Sequence, residues 1–99
     1  MNISDWRRRM DEIDKKLVDL LNERCKCALE IGHLKQQANM PLYQPARETE
    51  VLANAETNNQ GPLTDAAIRR LFERIIDEAR SAERVAMYGE RASDGEDPI

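Results

Sequence analysis

Six charged side chains stand where their spacing gives them chemistry to do. Arg24 falls on an apolar stripe made of Met10, Ile13, Leu17, Leu20, Cys27, Ile31, Leu34 and Ala38. Lys35 lies beside the same stripe eleven residues later, almost three whole helical turns. Both cations therefore leave one helix in nearly the same direction, about 16 Å apart along its axis. A buried cation without a partner is costly, so two along one inner face point to a small anionic ligand. Glu83 repeats the anomaly with opposite sign, since Phe72, Ile76, Ala79 and Glu83 keep one apolar spacing. Desolvation there favours the neutral acid, and a protonated carboxyl can donate a hydrogen bond. The plainer alternative is that the stripe has already reached solvent at residue 83.

Arg47 and Glu48 open a second helix. The glutamate complements the helix dipole, whereas the arginine opposes it unless an anion lies nearby or it makes an ordinary surface pair. Arg7 stands at the edge of the first stripe, 17 residues from Arg24, or about 25 Å along the same helix. It cannot share a ligand with Arg24 of its own chain, but an antiparallel second copy could bring it there.

The elements that must hold these residues read as all-α. The alternating four-and-three spacing predicts one long helix from Asp5 to Asn39, capped by Ser4 or Asp5 and stopped before Pro41. A loop over 40–45 leads into a short helix from Ala46 to Asn58, with Pro45 in its first turn. Asn58 to Pro62 break the chain, Thr64 caps a medium helix, and its broad apolar face (Ile68, Leu71, Phe72, Ile75, Ile76, Ala79, Ala82) ends near Met87. The domain is expected over residues 1–88, with 89–99 a frayed acidic tail. A 34-residue helix extends roughly 50 Å, while a compact domain of this length has a radius of gyration near 13 Å. Two shorter helices cannot cover such a stripe, so an intertwined homodimeric helical bundle is expected. The alternative is a break at Gly32 that folds the chain back as a monomer.

Composition narrows the function classes. The 99 residues form one domain, with 40% apolar residues, four aromatics and a net charge of −4. That balance disfavours a nucleic-acid or anionic-membrane partner. No run approaches membrane-spanning length and no signal pattern is seen, so a cytoplasmic location is expected. Cys25 and Cys27 point about 200° apart on a helix, which argues against a shared metal or a mutual disulfide. Cys27 reads as a core filler, Cys25 as peripheral and His33 as a helix-surface residue; no metal site is expected.

The segment W-R-R-R-M-D-E-I-D-K-K-L-V-D-L-L-N-E-R, then E-I-G-H-L-K, P-L-Y-Q-P-A-R-E-T-E-V-L and I-R-R-L-F-E-R-I-I-D-E-A-R-S-A-E together resemble the all-helical chorismate mutases over residues 6 to about 86. The resemblance implies an intertwined three-helix dimer with two active sites that converts chorismate to prephenate on the route to phenylalanine and tyrosine. It implies that Arg24 and Arg47 bind the substrate carboxylates, with Arg7 donated by the other chain. Lys35 would donate to the ether oxygen and contact a carboxylate, Glu83 would donate to that oxygen from the other side, and Glu48 would accept from the ring hydroxyl, with Gln44 nearby. Gln44 stands where many members have Asp, Ala79 where some have Ser, and Glu83 where some have Gln.

No cofactor is implied, because the rearrangement is unimolecular and pericyclic. Two rival readings stay open: isochorismate pyruvate lyase on the same fold, and a non-catalytic helical dimerisation module. Association with another shikimate-pathway enzyme is also left open.

Overall fold

A computed structural model describes residues 1–89. Of the tail expected over 89–99, only Gly89 falls within that range, and residues 90–99 lie outside the described residues. Three helices and no strand are found among the described residues: α1 (Ile3–Gln37), α2 (Pro45–Asn58) and α3 (Asp65–Tyr88).

The long first helix begins two residues earlier than expected. Its cap is Asn2 rather than Ser4 or Asp5. The Asn2 side-chain oxygen accepts from Asp5 N–H at 2.9 Å, and Asp5 Oδ2 accepts from Asn2 N–H at 3.2 Å. This reciprocal pair satisfies two of the helix's free amides at once. The helix then runs unbroken through Gly32 and ends at Gln37 instead of Asn39. Asn39 takes φ 56°, its N–H donates to the Gln36 carbonyl at 3.2 Å, and Met40 N–H donates to the Lys35 carbonyl at 2.8 Å. This is a Schellman closure, and Asn is among the few side chains that tolerate the left-handed position.

Pro45 starts α2, its missing N–H being one that no helix partner would use. Thr64 caps α3 as expected, its hydroxyl accepting from Ala67 N–H at 3.1 Å. Asn59 shapes the intervening turn by donating to the Leu63 carbonyl and to Asp65, each at 2.8 Å. α3 runs one residue past Met87, to Tyr88, and Gly89 caps it with φ 66°.

α3 packs against both α1 and α2, which do not pack against each other. A hollow is left where the three converge. Gly32 is buried at the α1–α3 crossing, and a Cβ there would stand 3.4 Å from Glu83 Cγ and 3.5 Å from Met87 Cε. A single methyl would just meet α3 there in ordinary van der Waals contact, and anything larger would press on it. Gln36 fixes the far end of the same crossing by donating to the Met87 carbonyl at 3.1 Å.

The molecule is elongated, 53 × 31 × 22 Å with a radius of gyration of 16.4 Å. Leu52, Met87 and Glu83 are the buried non-glycine side chains among the described residues. The N-terminal half of α1 carries its whole stripe in the open: Trp6 is 58% exposed, Leu17 50% and Leu20 59%. Leu71, placed on the inner face of α3 by its spacing, is also exposed. No described helix is long and apolar enough to cross a membrane.

Candidate active site

The hollow between the helices has a volume of about 430 Å³ and collects charged side chains from all three. α1 supplies Arg24 and Lys35, the start of α2 supplies Gln44, Arg47 and Glu48, and α3 supplies Ala79, Arg80 and Glu83. Cys27, Ala28, Ile31, Leu42, Val51 and Ile76 form the apolar remainder of its wall. A few convergent polar groups in an apolar cleft is the usual make-up of a small-molecule site.

Each polar residue arrives by a local device. Lys35 sits in the last turn of α1, and the Asn39 turn brings the following loop back over it. Lys35 Nζ donates to the Leu42 carbonyl at 3.1 Å. Gln44 is the N-cap residue of α2, but its side chain makes no capping bond. Its backbone carbonyl accepts from Arg47 and Glu48 N–H at 3.1 and 3.2 Å, which fixes the first turn that carries both side chains. Arg47 is exposed and pairs with Glu50 at 2.6 Å, an i,i+3 contact between side chains about 60% open to solvent. Such a pair stabilises little and yields readily to a better anion. Arg24 and Lys35 have no ion-pair partner among the described residues.

Glu83 is the anomalous acid. It is buried, and its Oε1 has no hydrogen-bond partner. Burial pushes its carboxyl above the usual carboxylate range, partly opposed by the charges of Lys35 and Arg80. The surface alternative for this residue does not hold, because the stripe is still covered there by Gly32 and Met87. A carboxyl whose pKa is raised by burial and two cations without an ion-pair partner therefore line one cavity.

The family profile of chorismate mutase type II matches residues 6–84. The chain belongs to that family. It is similar to the bifunctional chorismate mutase/prephenate dehydratase of Neisseria gonorrhoeae, 40% identical over 78 residues, covering 79% of this chain and 21% of that protein. The Aquifex aeolicus protein of the same name is 33% identical, covering 92% of this chain and 27% of its own length. The chain thus spans about a fifth to a quarter of these curated relatives. Among solved structures, the chorismate mutase (form II) of Thermus thermophilus superposes with a TM-score of 0.81 at 35% identity, over 83% of this chain and 93% of that one.

Of the residues singled out from the sequence of this chorismate mutase family member, Arg24, Lys35, Gln44, Arg47, Glu48, Ala79 and Glu83 line one cavity. Arg7 does not; it lies toward the opposite end of α1, outside the cavity lining. Cys27 corrects an expectation. Its side chain is exposed and forms cavity wall rather than core, while Cys25 is the more covered of the two. Arg80 was missed, although the signal was present: it follows Ile76 by four residues and precedes Glu83 by three. Among the described residues no cluster of His, Cys, Asp and Glu could hold a metal ion.

Proposed function

We propose that this chain is a cytoplasmic chorismate mutase, rearranging chorismate to prephenate as an intertwined homodimer. The observation that carries the reading is the meeting, in one cavity, of Arg24 and Lys35, neither in an ion pair among the described residues, with a buried Glu83 whose pKa is raised and whose Oε1 is unsatisfied. A structural helix pair has no use for such a set. A folded dianion does.

In this reading Arg24 and Arg47 grip the two carboxylates. Planar guanidinium groups suit that task, since each can engage a carboxylate through two bonds. Holding the enolpyruvyl arm over the ring removes the entropic part of the barrier. As the carbon–oxygen bond breaks, negative charge gathers on the ether oxygen. Lys35 Nζ and the protonated Glu83 donate there, binding the transition state more strongly than the ground state. Glu48 accepts from the ring hydroxyl, with Gln44 beside it and Ala79 closing the wall. The reaction needs neither a nucleophile nor an electron carrier.

The exposed stripe supports the dimer. Trp6, Met10, Ile13, Leu17 and Leu20 form an apolar run that one chain leaves in water, and contiguous patches of this kind mark association surfaces. An antiparallel second copy would cover it and carry its own Arg7 toward this cavity.

Loss of chorismate absorbance with the product identified tests the activity. Release of pyruvate from isochorismate, with chorismate untouched, would favour the lyase instead. Stabilisation of the fold by a bicyclic dicarboxylate transition-state mimic tests binding independently of turnover. Arg7→Ala and Arg24→Ala subunits, each inactive, are expected to regain partial activity when mixed. No recovery after demonstrated subunit exchange would rule out a shared site.

A further inference from the structure

The chemistry above leaves Arg80 without a task. Its Nη2 donates to Glu48 Oε2 at 2.7 Å, and both side chains are 27% exposed, the most covered ion pair among the described residues. The same nitrogen reaches Asp77 Oδ1 at 3.4 Å. The guanidinium carbon stands 5.0 Å from the centroid of the Tyr43 ring, within cation–π range. One side chain from α3 therefore holds both the first turn of α2 and the loop that precedes it.

A half-covered pair of this kind adds little net stability over an apolar one. What it does fix is direction. Glu48 makes no other side-chain hydrogen bond among the described residues, and a free glutamate on an open first turn would sample several rotamers. With Oε2 held, Oε1 is left as an acceptor whose orientation is set before a ligand enters. We propose that Arg80 is a positioning residue: by holding one Glu48 oxygen it aims the other at the ring hydroxyl of the occupant and so sets the preference for substrates that carry this hydroxyl. The inference rests on the reading of the cavity as a chorismate site with Glu48 as the hydroxyl acceptor.

A site arranged around a hydroxyl rejects the analogue lacking it, because its own polar group is then left unpaired. The contact is made in ground and transition states alike, so its loss should raise KM more than it lowers kcat.

The test compares kcat/KM for chorismate and for an analogue lacking only the ring hydroxyl. The proteins are the full chain and its Arg80→Met, Arg80→Lys, Glu48→Gln and Arg80→Met/Glu48→Gln forms. The unaltered chain is expected to prefer chorismate by roughly 10- to 100-fold. Arg80→Met should cut that preference about fivefold or more, mainly through KM, and Arg80→Lys should restore part of it. The double variant should be no worse than Glu48→Gln alone, since both changes remove one interaction. If the Met form does not fold, the Lys form carries the comparison, with an intermediate preference expected. Unchanged preference with both substrates slowed equally, or losses that multiply in the double variant, would overturn the assignment of Arg80. Failure of the unaltered chain to turn over chorismate would bring down the functional reading, and Arg80's role with it.

Discussion

Replacing Glu83 with Gln separates the charge of this side chain from its capacity to donate. In the folded chain the carboxyl is desolvated against Gly32 and Met87, its Oε1 is unsatisfied, and burial holds its pKa above the ordinary range despite Lys35 and Arg80. Only the protonated form donates to an ether oxygen. Above its pKa each further pH unit reduces the donating fraction about tenfold, until the rate reaches that of a site lacking one donor. Removing one such donor costs about 2.7–4 kcal/mol, or roughly 100- to 1000-fold in kcat. The chain should therefore show a kcat that falls as pH rises through the Glu83 pKa, and Glu83→Gln should flatten that limb while retaining activity. Stability follows the same sign. The raised folded pKa contributes stability that is fully present below the unfolded carboxylate value and is lost as pH rises through the folded one. Thermal melts across that window should show this slope in the unaltered chain and not in Glu83→Gln. Stopped assays of chorismate loss from acid to mildly alkaline pH provide the kinetic arm. An unchanged alkaline limb in Glu83→Gln would refute the reasoning, because the titrating group would then be another.

Lys35→Ala should lower kcat about 100- to 1000-fold by removing the second donor, with a smaller change in KM, read from steady-state kinetics. Leu17→Glu combined with Leu20→Glu places charges on the exposed stripe of α1 and should leave a monomer in sedimentation experiments, with activity lost in parallel. An active dimer would point to a different interface. Gly32→Ala is expected to be tolerated, since the added methyl meets Glu83 and Met87 at 3.4–3.5 Å and helix propensity gains up to about 1 kcal/mol. Gly32→Val overfills the crossing and should destabilise by about 1–3 kcal/mol, with melting temperature and kcat falling together.

The helices were legible because their apolar spacing is long and regular, and Pro41, Pro45, Pro62 and Thr64 punctuate it. Helix ends were less so. Asn2 displaced Ser4 and Asp5 as the cap because a reciprocal bond with Asp5 satisfies two amides where a single cap satisfies one. The site was legible wherever a charge interrupted an apolar stripe, as at Arg24 and Glu83. Arg80 escaped because an arginine at the edge of a stripe looks the same as a solvated one until Glu48 and Tyr43 are seen beside it. Cys27 was misjudged for the converse reason: a stripe position can face a cavity as well as a neighbouring side chain. Arg7 lies outside the cavity lining of its own chain, and spacing within one chain cannot bring it to Arg24.

An ammonium group has three protons to give. At Lys35 one is already committed to the Leu42 carbonyl, which leaves two. Those two match the demands of the proposed rearrangement, one for a carboxylate and one for the ether oxygen. The turn at Asn39 thereby rations the lysine's hydrogen bonding. A loop that withdrew the Leu42 carbonyl would leave a spare proton for water to hydrate and a nitrogen free to swing away from the oxygen it must reach.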